Sequence, residues 1–285
     1  MTCSQPTRPA GPAVADTAVA DAATAVPVRP RKPRLRIRSV VIALGVVAFT
    51  VYAAQESGWE WGSFISVWTN PLWQRFWPID WDFVFDRNNV VDPLIETFQI
   101  AIVATVIGCL IAMPIGFLMS QLTAPNRPTY IIVRSIMNVI RAIPDLLLAV
   151  ILVAAVSIGA FGGAIALTVF STAVLVKLFS ETIDSADPRP LEAALAAGGR
   201  HTAAVRAGVL PEVFPAYVAY SAYVFELNVR ASVVIGLVGG GGIGRVIEAQ
   251  RQFFRYDRIL GILIVIFLIV MIIEQISDAI RRRVL

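Results

Sequence analysis

The sequence predicts an all-α membrane protein with about six transmembrane helices. Hydrophobic residues make up 57% of the 285-residue chain and charged residues only 15%, and the mean hydropathy is +0.72, far from the balance of a soluble globular domain. Apolar runs recur at lengths that suit helices crossing roughly 30 Å of hydrocarbon. All six tryptophans fall in one segment between two such runs, where amphipathic rings suit a membrane interface.

Residues 1–33 are rich in Ala, Pro and Thr, which predicts a disordered tail because such a segment buries too little apolar surface to fold. Residues 34–285 are then the membrane domain. Its first apolar run, 39–54, follows a basic stretch and is lengthened by Leu35 and Ile37. A cleaved signal peptide is the competing interpretation, with a cleavage site at Val51-Tyr52-Ala53. We expect the segment to be retained, because with the five later spans it makes six, and an even number places both termini on the same side of the membrane.

Five further apolar runs predict the remaining spans, each near the roughly 20 residues that a crossing needs. They cover approximately 94–120, 130–156, 162–183, 213–237 and 259–280.

Basic residues set the expected orientation. With the N-terminus inside, Lys and Arg concentrate in the inner segments, so both termini are expected in the cytoplasm and the protein in the cytoplasmic (inner) membrane. The tryptophan-rich segment 55–92 is then an external loop. It serves either as an interfacial anchor or as a docking surface for an external protein.

Composition also excludes several function classes. One histidine and two cysteines leave no disulfide framework and no Cys/His metal site. The net charge of +4 does not indicate nucleic-acid binding, because the basic residues flank hydrophobic spans. The chain has no G-x-x-x-x-G-K-[ST] loop for ATP and no Ser/His/Asp arrangement in the membrane, so we expect no enzyme activity from it.

Residues 192–211, EAALAAGGRHTAAVRAGVLP, form a small-sided polar segment between two spans. A run of helix formers is broken by Gly198-Gly199, and a second helix is possible until Pro211. Such an exposed helix-break-helix has little apolar area of its own to bury. It is therefore expected to fit a groove on a partner.

This segment resembles the EAA-x3-G-x9-I-x-LP signature of ABC-importer permeases, with Gly208 where that family usually has Ile. Further similarity to the phosphonate-type branch, across about 94–285, lies at Arg141-Ala-Ile-Pro144, at Lys177-Leu-Phe-Ser-Glu181, in residues 225–232 and in the glycine run 239–244. The resemblance implies a MetI-like (type I importer) transmembrane domain. The residues that match the signature and would couple to the ATPase are Glu192, Ala193, Ala194, Gly198, Leu210 and Pro211.

The same resemblance implies the partners and the cargo. Two ATPase subunits would bind ATP and Mg, so this chain would hold no cofactor. An external binding protein would deliver phosphonate or a related phosphorus oxyanion, such as phosphate or phosphite. A second permease copy would complete a homodimer, because no second half is present in the sequence.

Glu226 and Arg230 lie one helical turn apart, about 20 Å into their span, a depth at which ionisable groups need a partner or a water-filled cavity. Either they form a structural ion pair, or Arg230, with Asn228, lines the path of an anion that its planar fork can hold. Ser232, from the same stretch, and Arg141 complete the predicted substrate pathway. For Arg141, which is spaced i, i+4 from Asp145 beside Pro144, we prefer a structural role over a gate. Lys177 and Glu181 are a similar pair, expected to support the 192–211 loop.

The glycine run is the remaining backbone motif. Gly239, Gly241 and Gly244 fit G-x-G-x-x-G, but no βαβ unit surrounds them, so a dinucleotide site is excluded. Together with Gly242 they predict either a flexible external gate or the end of a helix that approaches a neighbour closely.

Four arginines beyond the glycine run contradict the positive-inside pattern: Arg245, Arg251, Arg255 and Arg258. They either attract an incoming anion, or they form ion pairs on the helix surface or contact an acidic face of a partner, which we prefer.

Two rival functions stay open. One is the methionine-type branch of the same permeases. The other is an ion-coupled secondary carrier or a membrane scaffold, with Glu226 and Asp145 available for protons.

Overall fold

The structure, a computed structural model, describes residues 37–58, 62, 65–66 and 75–284. All the regular structure of these residues is helical, in agreement with the predicted fold class. The chain divides into two units, Met1–Thr69 and Asn70–Leu285. The predicted tail 1–33 and, in the tryptophan segment, residues 59–61, 63–64 and 67–74 lie outside the described residues, so the predicted domain boundaries stay predictions.

The first unit contains one described helix, α1 (Ile37–Glu56). The second unit begins with a short helix, α2 (Trp81–Val84), and a π-helical turn (Arg87–Val91) that leads into α3. The remaining helices are α3 (Asp92–Met119), α4 (Arg127–Ala142), α5 (Asp145–Val156), α6 (Ala160–Ser185), α7 (Arg189–Ala196), α8 (His201–Gly208), α9 (Leu210–Leu237), α10 (Gly242–Gln252) and α11 (Tyr256–Val284).

Four described helical segments are long and apolar enough to cross a membrane, and a bent pair makes a fifth if it counts as one span. The four are Arg87–Met119, Ala160–Ser185, Leu210–Gln252 and Tyr256–Arg283. Four predicted spans therefore match observed helices to within a few residues. The apolar part of α1, Val40–Glu56, is shorter than these four segments. The total of six spans and the side of the membrane on which the termini lie stay predictions.

The predicted span 130–156 corresponds to two helices, because α4 and α5 meet at a bend of 92°; together the pair can count as one span. Pro144 causes the break: it has no N–H for a helical hydrogen bond, and it forces the preceding residue out of the helical region. Ile143 accordingly has an extended backbone, with ψ 127°. The bend also separates Arg141 from Asp145. No ion pair within 4 Å joins them in the part of the chain that the structure describes, so the i, i+4 contact expected between them does not form.

Helices α3 and α6 form the centre of the second unit. Small residues recur every four positions along α3, at Ala104, Gly108, Ala112 and Gly116, and all four are buried. A Cβ on Gly108 would lie 2.7 Å from the Ser171 Cβ, and one on Gly116 would lie 2.5 Å from the Phe179 ring. The small stripe therefore lets the two backbones approach closely, as is common between membrane helices.

Candidate functional site

Residues 192–211 form the predicted helix-break-helix. Helices α7 and α8 are separated by Gly198, whose φ of +85° favours glycine. Glu192 and Ala193 are exposed, whereas Leu191 at 4% and Ala204 at 2% exposure pack against Phe179 of α6. One face of the loop is thus held by the bundle, and the opposite face is free for a partner.

Polar contacts also hold the base of this loop. His201 Nε2 lies 2.8 Å from the Thr123 carbonyl oxygen, which ties the first turn of α8 to the α3–α4 connection. At the start of α7, the side-chain N–H groups of Arg189 donate to Asp187, and with the Arg189 backbone N–H they hold the pKa of Asp187 below its ordinary value.

Gly208, where the resemblance would place Ile, is explained by the packing of α8 on α7. A Cβ at this position would lie 2.9 Å from backbone atoms of Pro190 and Leu191, closer than a real Cβ can approach. In this chain the end of α8 therefore crosses the start of α7 without a side chain between them. Pro211 does not end α8 as predicted. It lies in the first turn of α9, where its missing N–H has no intrahelical partner to lose.

Glu226 and Arg230 form the ion pair that their spacing predicts, and the pair belongs to a larger charged cluster. The Glu226 side chain is 6% exposed, whereas the Arg230 side chain is 47% exposed. Arg230 Nη2 is also 3.4 Å from Glu274 Oε2 of α11. The charged cluster thus contains the buried carboxylate of Glu226 and the guanidinium of Arg230, which reaches the molecular surface.

A second arginine, Arg281 of α11, contacts the same carboxylate. Its Nη2 lies 3.5 Å from Glu226 Oε2 and 2.7 Å from Asp278 Oδ1. The sequence interpretation missed this role, because a basic residue near the end of a span is typical of membrane topology. The i, i+4, i+7 spacing of Glu274, Asp278 and Arg281 places them on one face of α11, and this was the available signal.

Asn228 and Ser232 lie on another face of α9, away from Arg230. The Asn228 side chain is fully buried: its Nδ2 donates to Ser171 Oγ at 2.7 Å and to Thr105 Oγ1 at 2.8 Å. Ser232 is 2% exposed, with its Oγ 3.4 Å from the carbonyl oxygen of Thr97. These contacts join α9 to α3 and α6, so the structure does not bring Asn228 and Ser232 together with Arg230 on one surface.

The glycine run forms a tightly packed junction at the end of α9. The Gly239 carbonyl accepts a hydrogen bond from the Gly159 N–H at 2.7 Å. A Cβ on Gly241 would lie 2.7 Å from the Ala160 nitrogen, and one on Gly244 would lie 2.1 Å from the Val233 carbonyl oxygen. Positive φ angles at Gly239, Gly241 and Gly242 turn the chain into α10. The geometry corresponds to the close-approach alternative, and a gate at these glycines stays a prediction.

Two other groups of predicted charges, the Lys177–Glu181 pair and the arginines beyond the glycine run, have charged partners. Lys177 and Glu181 form an ion pair, as expected. Each of the four arginines beyond the glycine run has a carboxylate within 4 Å, which confirms the preferred interpretation: Arg245 with Glu96, Arg251 with Glu248, Arg255 with Asp257 and Arg258 with Asp80.

Arg141 and the described tryptophans are exposed. Arg141 lies at the end of α4 with a solvent-accessible side chain, and it does not approach the Glu226 cluster through any ion pair in the described residues. Trp77 is 67% and Trp81 44% exposed. Trp59, Trp61, Trp68 and Trp73 lie outside the described residues.

Known proteins resemble this chain over most of its length. The profile of the family described as "Binding-protein-dependent transport system inner membrane component" matches residues 112–285. The phosphate-import permease protein PhnE of Mycolicibacterium smegmatis is 33% identical over 90% of this chain, which spans 47% of that protein. The phosphite transport system permease protein PtxC of Stutzerimonas stutzeri is 34% identical over 67% of this chain and 70% of its own length.

A solved structure agrees in fold. An inward-facing structure of the MetNI methionine ABC transporter is 27% identical and superposes with a TM-score of 0.61 over 68% of this chain and 95% of that one. The MetI-like, all-helical fold is thereby confirmed. The chain belongs to the binding-protein-dependent inner membrane components, the permease subunits of ABC importers.

Proposed function

We propose that this chain is the membrane-spanning subunit of an ATP-driven importer that translocates a phosphorus oxyanion: phosphonate, phosphate or phosphite. Two copies of the chain form the path. Two separate ATPase subunits bind and hydrolyse ATP with Mg, and an external binding protein delivers the anion. The names of the phosphate-import and phosphite-transport relatives support this cargo class.

The observation that carries the proposal is the half-exposed guanidinium of Arg230. Arg230 lies within the longest of the segments that could cross a membrane, Leu210–Gln252, and it is paired with the buried Glu226 carboxylate. An arginine with free N–H groups in such a place can donate two parallel hydrogen bonds to phosphoryl oxygens, and ionisable groups at this depth commonly mark a transport path. We assign Arg230 to anion contact and Glu226 to orienting it.

The α7–α8 loop couples the ATPase to the membrane helices in this proposal. The exposed face of α7–α8, with Glu192 and Ala193, docks on the ATPase, so closure of the ATPase dimer moves the two permease copies. The buried contacts of Leu191 and Ala204 pass this movement to α6 and α9. We place Asn228 and Ser232 among the residues that hold the helices together, beside rather than on the anion's path.

Uptake into liposomes tests the proposal. Vesicles that carry this chain with its cognate ATPase and binding protein receive phosphate, methylphosphonate or methionine, with and without ATP at the ATPase face. We expect ATP-dependent uptake of a phosphorus oxyanion and none of methionine. Arg230→Gln is expected to reduce uptake at least a hundredfold, because the anion loses its charged partner.

Arg282→Gln is the matched control, since Arg282 is an exposed arginine of α11 without an ion pair in the described residues. It should transport normally. Methionine uptake would replace the proposed cargo with that of the methionine-type branch, and uptake driven by a proton gradient without ATP would point to a secondary carrier. Normal uptake by an assembled Arg230→Gln complex would remove Arg230 from the path.

A further inference from the structure

The charged cluster of α9 and α11 contains buried polar atoms without partners. Among the described residues, the buried side-chain atoms that lack a hydrogen bond are Glu226 Oε2, Ser277 Oγ and Arg281 Nε. Ser277 is 4% exposed and lies one helical turn before Arg281, on the same face of α11. Helix α11 thus carries two buried polar atoms without partners, and one of them belongs to Arg281, whose Nη2 lies 3.5 Å from the Glu226 oxygen that lacks a hydrogen bond.

Such unsatisfied groups are unusual in folded proteins, and each calls for a reason. Glu226 divides its two oxygens between two arginines: Oε1 accepts from Arg230, and Oε2 lies 3.5 Å from Arg281 Nη2 without forming a hydrogen bond. Arg281 is meanwhile held by Asp278 at 2.7 Å. The carboxylate is therefore hydrogen-bonded to Arg230 through one oxygen, and its other oxygen is approached by Arg281 without a hydrogen bond.

We propose that Arg281 is a positioning residue that takes over Glu226 when Arg230 binds the transported anion. This inference rests on the proposed function. An oxyanion must compete with Glu226 and Glu274 for the Arg230 fork. Once Arg230 turns to the anion, Glu226 would be left as a buried, uncompensated charge, which is strongly unfavourable.

Arg281 removes this obstacle because its Nη2, already 3.5 Å from Glu226 Oε2, can close on the carboxylate, and its Nε has no other partner in the described part of the chain. The charge of Glu226 stays compensated throughout, and the return of Glu226 to Arg230 then helps to release the anion. We call this exchange of the Glu226 carboxylate from Arg230 to Arg281 the handover. It also links the movement of α11 against α9 to the binding of an anion at Arg230.

The test is the number of anions transported per ATP hydrolysed, measured with phosphite and inorganic phosphate in the reconstituted complex described above. Arg281→Gln is expected to lower this ratio about tenfold while ATP hydrolysis stimulated by the binding protein stays within twofold of wild type. A merely structural defect would lower transport and hydrolysis together. Arg282→Gln removes the same charge one residue away and should leave the ratio unchanged.

The double variant Glu226→Gln/Arg281→Gln provides the decisive comparison. A neutral amide at position 226 needs no cation, so the double variant should restore the ratio to that of Glu226→Gln alone. An unchanged ratio in Arg281→Gln, or a double variant as defective as Arg281→Gln, would overturn the handover.

Two further measurements separate a failure of the handover from a failure of assembly and from a failure of the proposed function. If Arg281→Gln does not assemble, Arg281→Lys keeps the charge but loses the planar fork, and its ratio should fall about threefold; no fall would contradict the proposal. If Arg230→Gln abolishes uptake while Arg281→Gln has a normal ratio, only the handover fails. If Arg230→Gln transports normally, the proposed function of Arg230 fails as well.

Discussion

Helix α9 carries two stripes of polar and small residues that differ in how fully their polar groups are paired. The closed stripe consists of Asn228, Ser232 and Gly236, spaced four residues apart, all buried against α3, α6 or the glycine run. The charged stripe consists of Glu226 and Arg230, which face α11. Both stripes are built on the same helix and at the same depth.

The closed stripe is neutral and has no exposed side chain to offer a ligand. The Asn228 amide has hydrogen bonds at both its Nδ2 and its Oδ1, the latter from Ser171 Oγ at 2.9 Å. The charged stripe has a half-exposed arginine and a carboxylate oxygen without a hydrogen bond. A complete network specifies one packing arrangement, whereas an incomplete one can exchange partners. The contrast therefore separates the part of α9 that holds the fold from the part that can work during transport.

The largest expected difference between the two stripes is in stability, and two near-isosteric substitutions, Asn228→Asp and Glu226→Gln, test it. A carboxylate at position 228 would be fully buried with no cation beside it, so we expect the free energy of unfolding to fall by roughly 3 kcal/mol or more. Glu226→Gln removes a buried charge and keeps the shape, so a change within about 1 kcal/mol is expected. Thermal unfolding of the purified protein in detergent measures both.

Equal destabilisation by the two exchanges would contradict the distinction between the stripes. Asn228→Asp that melts like the parent would show that the buried amide network contributes little. In either case the yield of folded protein provides a second readout, because a variant with a buried unpaired charge accumulates poorly in the membrane.

Gly236→Ala tests the closed stripe at its tight end. A Cβ on Gly236 would lie 2.5 Å from the Gly241 carbonyl oxygen and 2.8 Å from the Gly244 Cα, so backbone must move and a loss of about 1–3 kcal/mol is expected. Gly45→Ala in α1 is the matched control, because Gly45 is also a helical glycine and no described residue lies within 4 Å of its added Cβ. The control should be neutral or slightly stabilising, since Ala favours a helix over Gly. Similar melting temperatures for the two variants would show that the backbone around the glycine junction can shift to accept a side chain at little cost in stability.

The sequence was sufficient to predict features that depend on local spacing. Apolar length located α3, α6, α9 and α11, and the Gly198 break separated α7 from α8 as expected. The i, i+4 rule found the Glu226–Arg230 pair because both residues lie on one helix.

Features that depend on how two helices are set against each other could not be predicted in this way. The spacing of Glu274, Asp278 and Arg281 places them on one face of α11, but it does not show that this face meets Glu226, because that contact depends on the register of α11 against α9. The partners of Asn228 lie 57 and 123 positions earlier in the chain. Pro144 indicated a break in the helix, but the 92° angle is set by the packing of α5 on α6.

The smallest expected effect concerns an ion pair outside both stripes. Asp80 accepts from Arg258 of α11 at 3.0 Å, and both side chains are about a quarter exposed. The backbone N–H of Phe83, followed by Arg258, keeps the pKa of Asp80 below 3.8, although partial burial opposes this. A carboxyl whose pKa is lowered by folding stabilises the fold above its unfolded pKa and loses this contribution as the pH falls through its folded pKa.

Asp80→Asn should therefore melt about 1–3 °C below the parent at pH 6, as expected for one partly exposed pair. The gap should close as the pH falls through the folded-state pKa of Asp80, which lies below the ordinary value for an aspartate, because the parent Asp80 is then protonated as well. Asp82→Asn, an exposed neighbour on α2 without an ion pair in the described residues, is the control and should melt like the parent at pH 6. A gap as large as that of Asn228→Asp would mean that burial is not what distinguishes the stripes of α9, because a quarter-exposed pair would then contribute as much as a closed network.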